Sequence, residues 1–168
     1  MNPIRWLAIR LGRQPWLPRF AKYIVGLDVL IQRLTRGRFT LLSMAGLPEV
    51  LLTVAGRKSG IPRSTPLLCV PHEDGWLVAG SNWGAPKPPA WVGNLDAADR
   101  ATVTFRGRPT NVSPQRVEGA ERAAYWQVML ETWPNYAKYA ERTDREIPVF
   151  LLEPPRGEPA NPAISGED

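Results

Sequence analysis

One cysteine and one histidine are all that the 168 residues offer, and that scarcity excludes a good deal. A single thiol closes no internal disulfide, and no cysteine-based zinc site can form. Cys69 lies in the apolar run Leu67-Leu68-Cys69-Val70 and reads as an inert buried thiol. His72 stands in the turn His72-Glu73-Asp74-Gly75, with no nucleophile motif beside it, so a histidine-based catalytic triad is disfavoured. No run approaches the roughly 18 apolar residues of a membrane span, and no apolar stretch ending in a small-residue cleavage site opens the chain. The expectation is a cytoplasmic protein. Acidic side chains are also outnumbered, 16 against 21 lysines and arginines, for a net charge of +5. That balance suits a nucleic acid, an anionic membrane surface or a small polyanion.

What is abundant is proline, with 18 residues, and tryptophan, with 7. The prolines imply many turns; the tryptophans imply large flat surfaces that fill a core or line a site for a planar ligand. Residues 1–40 differ from the rest. Phe20, Tyr23, Ile24, Leu27, Leu30, Ile31 and Leu34 recur at helical spacing, which predicts a helix over Pro18 to Phe39. Arginines and lysines surround this stripe, and Trp6 and Trp16 lie upstream among Arg5, Arg10 and Arg13. Such a basic amphipathic segment either docks on its own domain or lies in the inner membrane interface, and it can do both.

From Glu49 the pattern turns to short β-branched runs bounded by Gly/Pro turns: Glu49–Ala55, Ser64–Pro71, Trp76–Gly80, Ala101–Arg106, Thr110–Val117 and Ile147–Leu152. Helices are expected over Pro88–Leu95 and Glu118–Trp133. Helices do not alternate regularly with strands, so the expected fold is α+β, a small β-barrel with added helices and an N-terminal amphipathic helix. The expected organisation is a helical segment at 1–40, one barrel domain at 41–154 and a frayed tail at 155–168 rich in Pro, Gly and Glu.

Three stretches stand out chemically. In Val54-Ala55-Gly56-Arg57-Lys58-Ser59-Gly60-Ile61-Pro62-Arg63, three cations crowd a glycine-bearing turn between buried strands. The glycines let amides converge, Arg57 offers a planar fork and Lys58 a movable charge. The turn either holds an anion or is simply solvated. It is no Walker loop, since the Gly-Lys-Ser/Thr ending is missing. The second stretch, Gly80-Ser81-Asn82-Trp83-Gly84 through Trp91 and Asn94, runs from a strand end across a glycine loop into a helix start, where amides favour anions. Trp91 and Asn94 are i,i+3 neighbours on one face. The plainer reading makes Trp91 core and Ser81 a cap. In the third, Trp133-Pro134-Asn135-Tyr136-Ala137-Lys138-Tyr139, helical spacing puts three aromatic rings on one face, and the two phenol tips need polar partners.

Together these stretches resemble the deazaflavin-dependent nitroreductase family. The run Leu52 to Arg63 is similar to its signature, and Pro89-Ala90-Trp91-Val92-Gly93-Asn94-Leu95, Trp133-Pro134-Asn135-Tyr136 and Thr143-Asp144-Arg145-Glu146-Ile147-Pro148-Val149 follow in the family's order. The resemblance implies a split β-barrel of the FMN-binding kind that binds coenzyme F-420, a 5-deazaflavin with a phosphodiester and an oligoglutamate tail. It further implies hydride transfer to a quinone, a conjugated enone or a nitroaromatic. By match to the motifs, Arg57, Lys58 and Arg63 would hold the phosphate and tail. Thr65, Pro66 and Leu67 would run along the ring, and Ser81, Asn82, Trp83 and Gly84 would meet the phosphate region. Trp91 and Asn94 would lie near the cofactor, and Tyr136 and Tyr139 would close the substrate side with Tyr136 as hydrogen-bond donor. Asn82 stands where the best-known subgroup has lysine, Leu68 and Trp133 where it has tyrosine, and Trp83 where it has glycine. The rival expectations are an FMN-binding reductase of the same barrel and a non-enzymatic module for anionic lipid. Nucleic acid is disfavoured because the cations gather at the terminus and one turn, without an RNA-type aromatic motif.

Overall fold

The computed structural model describes residues 3–12, 14, 16–34 and 40–155. Seven strands form an antiparallel sheet in the order β2-β1-β5-β6-β7-β4-β3. They are β1 Glu49–Ala55, β2 Pro62–Leu68, β3 Val70–His72, β4 Gly75–Ala79, β5 Ala101–Phe105, β6 Arg108–Val117 and β7 Val149–Glu153. The helices are α1 Pro3–Gly12, α2 Ala21–Leu34, α3 Leu41–Met44, α4 Ala90–Leu95, α5 Gly119–Thr132 and α6 Asn135–Ala140. The tail at 156–168 and the end of the expected helix at 35–39 lie outside the described residues.

Two strands curl the sheet. In β6, Arg108 to Val112 pair with β5 while Ser113 to Val117 pair with β7. The expected strand Ser64–Pro71 does the same and is broken for it. Leu68 still pairs with Glu49 of β1, Val70 already pairs with Leu77 of β4, and Cys69 between them donates its N–H to the Pro48 carbonyl at 3.0 Å. A change of partner sheet, not a turn residue, ends β2.

The burial pattern follows from the curl. β1 alternates, with Val50, Leu52 and Val54 inside, as a strand with one covered face must. β4 is buried at every position. Its Trp76 and Val78 join Leu52, Val103, Phe105, Phe150 and Leu152 in the barrel interior. Leu77 and Ala79 face a second core built with Met129, Trp133, Tyr136, Tyr139, Ile147 and Leu151 under α5 and α6. Each such aliphatic side chain contributes about 1.5–3 kcal/mol by burial.

Other expected boundaries shift for local reasons. The last strand starts at Val149, because Pro148 has no N–H to pair. α4 begins at Ala90, with Pro89 as the residue before its first turn. The helix expected over Pro18–Phe39 opens as a 3-10 turn, Leu17–Phe20, before α2. α1 docks through its backbone and small residues: Asn135 donates to the Ile9 carbonyl at 2.9 Å and Arg5 to the Thr132 carbonyl at 3.1 Å. Ala8 and Ile9 pack on the second core.

Candidate active site

A cavity of about 290 Å³ opens where β2, the end of β4 and α6 meet, close to the lower limit for a small-molecule site. Pro66, Leu67 and Leu68 line one wall, Ser81, Asn82, Trp83 and Trp91 another, and Trp133, Tyr136 and Tyr139 a third. Ile24 of α2, Leu42, Glu49, Ala79 and Pro89 complete it. Eight of the expected site residues therefore share one aromatic cavity: Pro66, Leu67, Ser81, Asn82, Trp83, Trp91, Tyr136 and Tyr139. Six do not line it: Arg57, Lys58, Arg63, Thr65, Gly84 and Asn94. A wider cleft of about 710 Å³ lies beyond Glu49, between α3 and the β5–β6 turn, and holds none of the expected residues.

Arg57 and Lys58 sit on the β1–β2 turn and Arg63 at the start of β2, all three exposed. Among the described residues none of them makes a salt bridge. The expectation that the turn's amides converge on a ligand is corrected. The N–H groups of Gly56, Ser59 and Gly60 are tied to carbonyls within the turn, to Ile61, Gly56 and Gly56. Anion contact from this turn falls chiefly to its side chains. Gly60, at φ +67°, takes the left-handed geometry; Gly56 instead leaves no room for a side chain beside Ser59.

Although outside the cavity, the turn is braced to its wall. Asn94 is buried, and its Oδ1 accepts the Arg57 N–H at 3.1 Å. The Arg57 guanidinium lies over Gly93, where an added Cβ would come within 2.8 Å of Nη1. One turn earlier on α4, Trp91 lines the cavity and packs on Phe150, with ring centroids 6.0 Å apart. One short helix thus ties the cationic turn to the aromatic wall. Along β2, Arg63 and Pro66 are three residues apart, about 10 Å at strand rise.

Ser81 to Gly84 form a turn that the sequence did not announce. Ser81 is right-handed, while Asn82, Trp83 and Gly84 follow at φ +45°, +52° and +80°. The Asn82 side chain donates to the Lys87 carbonyl at 2.9 Å. Gly84 is buried behind the wall, where any Cβ would strike the Tyr139 carbonyl.

The two phenols are not equivalent. Tyr139 is held: its oxygen accepts hydrogen bonds from the side chains of Trp133 and Asn135, and the Arg142 guanidinium stands 5.6 Å over its ring. Burial still raises its pKa on balance. Tyr136 stacks 5.6 Å from Trp126 and lies edge-on to Tyr139. No hydrogen bond of its hydroxyl is found among the described residues, and the residue lines the cavity. Burial, with smaller contributions from Tyr139 and Cys69, pushes its pKa far above the ordinary phenol value of 10.0. Tyr136 is therefore a neutral O–H donor across the physiological range. Trp133 lies just ahead of α6, not within it, yet reaches the same cavity.

Sequence reasoning missed Glu49 and Ile24, which it had placed in a strand start and a helix stripe. It also left Arg145 without a place. The Arg145 side chain donates to the Ser81 carbonyl at 2.8 Å and to the Ala85 carbonyl at 3.0 Å.

A curled antiparallel half-barrel with an aromatic cavity on its flank belongs to the split-barrel class. The similarity is measurable. The heme storage protein HutZ of Vibrio cholerae shares the fold at TM-score 0.51 and 13% identity, over 65% of this chain and 82% of that one. A solved F420-H2 dependent reductase, FDR-A, aligns at TM-score 0.59 and 36% identity, over 63% of this chain and 94% of its own. The F420H(2)-dependent quinone reductase Rv1261c of Mycobacterium tuberculosis is 30% identical over 155 residues, 90% of this chain and 98% of that protein. The profile of the F420H(2)-dependent quinone reductases matches residues 27–154. The chain belongs to that family, and is an oxidoreductase that uses coenzyme F-420.

Proposed function

We propose that the chain reduces a quinone-type acceptor within the 290 Å³ cavity, with Tyr136 as the hydrogen-bond donor to the acceptor's oxygen. One observation carries this reading: a buried, neutral phenol with an uncommitted O–H faces an aromatic cavity. When bound, reduced F-420 supplies the hydride that the acceptor receives. The residues fit such a cofactor. Pro66 and Leu67 offer a flat apolar wall for a ring, Trp91 offers an aromatic face, and Arg63, about 10 Å along the same strand, with Arg57 and Lys58 on the turn before it, offers exposed positive charge for an acidic tail.

The protein's own work is to bind, orient and exclude water. Leu42, Leu68 and Trp133 give the cavity apolar surface, which strengthens the polar contact from Tyr136. As hydride reaches the acceptor, negative charge grows on its oxygen, and the Tyr136 O–H stabilises that charge. The proton that completes a hydroquinone comes from solvent. Arg57, Lys58 and Arg63 bind the phosphate and carboxylates of the tail, braced by Asn94. Ser81 to Gly84 meet the phosphate, with Thr65 beside the ring on β2.

Residues 41–154 carry this cofactor domain, and the 1–40 segment is its apron. On α2, Tyr23, Leu27, Leu30 and Leu34 form an exposed apolar stripe at i, i+4, i+7 and i+11, while Ile24 on the neighbouring face lines the cavity. Trp6, Leu7 and Leu11 are exposed on α1. No helix among the described residues is long and apolar enough to cross a membrane. A peripheral contact with the inner membrane face, next to the cavity, would deliver apolar acceptors.

The test uses Arg57→Ala/Lys58→Ala against the parent protein. F-420 fluorescence titration is expected to show about tenfold or more weaker binding, with most of the loss at low salt, where exposed charges act furthest. Flotation on anionic phospholipid vesicles is expected to stay unchanged. Loss of flotation with F-420 binding intact would replace this reading with a lipid-binding module. Tight FMN binding without response to F-420 would replace it with a flavin reductase.

A further inference from the structure

The Ser81 to Ala85 loop poses a physical problem. Three successive residues hold positive φ, and two of them, Asn82 and Trp83, are not glycine. Left-handed geometry at non-glycine positions is strained unless neighbours over-determine it. The right-handed Ser81 followed by left-handed Asn82 is the backbone order of a nest, whose successive N–H groups turn toward one point and favour an anion. Left alone, such a loop would relax.

What restrains it comes from about 60 residues further on. The Arg145 fork spans the loop, with Nη2 on the Ser81 carbonyl and Nε on the Ala85 carbonyl, at 2.8 and 3.0 Å. Arg142 reaches the Trp83 carbonyl at 3.5 Å. Three of the five loop carbonyls are thus drawn to one side by two guanidinium groups. Pro148 accepts the Gly80 N–H at 2.9 Å, pinning the loop's entry. The remaining Arg145 nitrogen, Nη1, is buried with no hydrogen-bond partner among the described residues. No carboxylate neutralises this guanidinium there, because Glu146 pairs with Arg122 instead. The loop therefore carries an uncompensated positive charge directly beneath it.

We propose that Arg145 is a positioning residue that holds the Ser81–Ala85 loop in its left-handed form and adds positive potential beneath it, and so selects a cofactor bearing a phosphoester over the same ring without one. This rests on the function proposed above, and extends it to a residue outside the cavity. A lysine cannot replace it, since one ammonium does not span two carbonyls in a fixed fork.

The experiment compares F-420 with its deazaflavin nucleoside, which keeps the ring and lacks the phosphate and tail, by fluorescence titration. The parent protein is expected to bind both, the phosphorylated ligand more tightly. In Arg145→Lys, F-420 is expected to weaken about tenfold or more while the nucleoside stays within about twofold. Gly84→Ala moves the loop with Arg145 intact, since its Cβ would strike the Tyr139 carbonyl and the Arg142 side chain. It is expected to give the same selective loss. Equal weakening of both ligands would overturn the proposal, as Arg145 would then merely hold the barrel together. So would unchanged F-420 binding. A parent protein that binds neither ligand would sink the function reading itself, and this inference with it.

Discussion

Removing one oxygen atom from each phenol in turn should produce opposite results. Tyr136→Phe deletes a hydroxyl for which no hydrogen bond is found among the described residues. With no partner lost, folding stability is expected to change by less than about 1 kcal/mol. The same deletion takes the proposed donor from the growing charge on the acceptor. An ordinary neutral hydrogen bond contributes about 0.5–1.5 kcal/mol, and a donor aimed at a developing oxyanion gives about 100- to 1000-fold in rate. A quinone spreads its charge, so the expected fall in kcat is between these, about 10- to 100-fold. Tyr139→Phe does the reverse. It leaves the Trp133 and Asn135 donors without their shared acceptor, which costs about 1–3 kcal/mol of stability. For a chain of this size that is a Tm lower by several degrees, at about 2–4 °C per kcal/mol. Its kcat should fall by less than about threefold, since the proposed function gives the donor's part to Tyr136. The assay is single-turnover oxidation of F-420-loaded protein by a soluble quinone, alongside thermal unfolding. If Tyr136→Phe lost stability and kept its rate, while Tyr139→Phe lost its rate, the assignment of the two phenols would be wrong.

Two further outcomes are expected. Burial, with help from Glu49, raises the Cys69 thiol well above 9.0; a thiol that ionises only on unfolding loses stability as pH rises past its unfolded value, about 1.4 kcal/mol by pH 10. Cys69→Ala should therefore flatten the fall in urea-unfolding free energy between pH 9 and 10, and an unchanged slope would refute the cause. Gly12→Ala places a Cβ against the Asn135 side-chain amide, with Trp133 and the Tyr139 hydroxyl close behind; overpacking of about 1–3 kcal/mol should loosen α1 and show as faster proteolysis near Gly12 without loss of the barrel's cooperative unfolding.

The parts of the fold legible in the sequence are those fixed by local pattern. β1, with its alternation, and α5, with its apolar positions on neighbouring turns, emerge almost at their observed bounds. The break at Cys69 was hidden because its cause is a change of pairing partner, which no neighbouring residue encodes. The left-handed loop was hidden because Asn82 and Trp83 do not demand positive φ; Arg145 and Arg142 impose it from far along the chain. For the site, chemistry was legible and division was not. Helical spacing grouped Trp133, Tyr136 and Tyr139, yet only tertiary contacts separate the phenol whose oxygen is held from the one whose donor is open. Likewise, the cations of the β1–β2 turn were visible, while their position outside the cavity depends on how far Pro66 stands along β2.

That separation of charge from cavity decides how the site can work. Exposed cations in water act through a screened field that fades over about 8 Å at physiological salt, so on the proposed function Arg57, Lys58 and Arg63 would govern affinity and contribute little at the reacting atoms. The cavity lining includes Glu49 and Tyr136. On the proposed function, a carbonyl that gains negative charge during reduction would be held by the Tyr136 donor, with its reacting oxygen toward α6 and its apolar body against Leu42, Leu68 and Ile24. An acceptor with a hydrocarbon tail would leave that tail directed toward α2, whose outer face carries the exposed stripe from Tyr23 to Leu34. On that reading, orientation at the reacting centre and the route of entry follow from the same arrangement: the Tyr136 donor and an apolar helix at the cavity's edge.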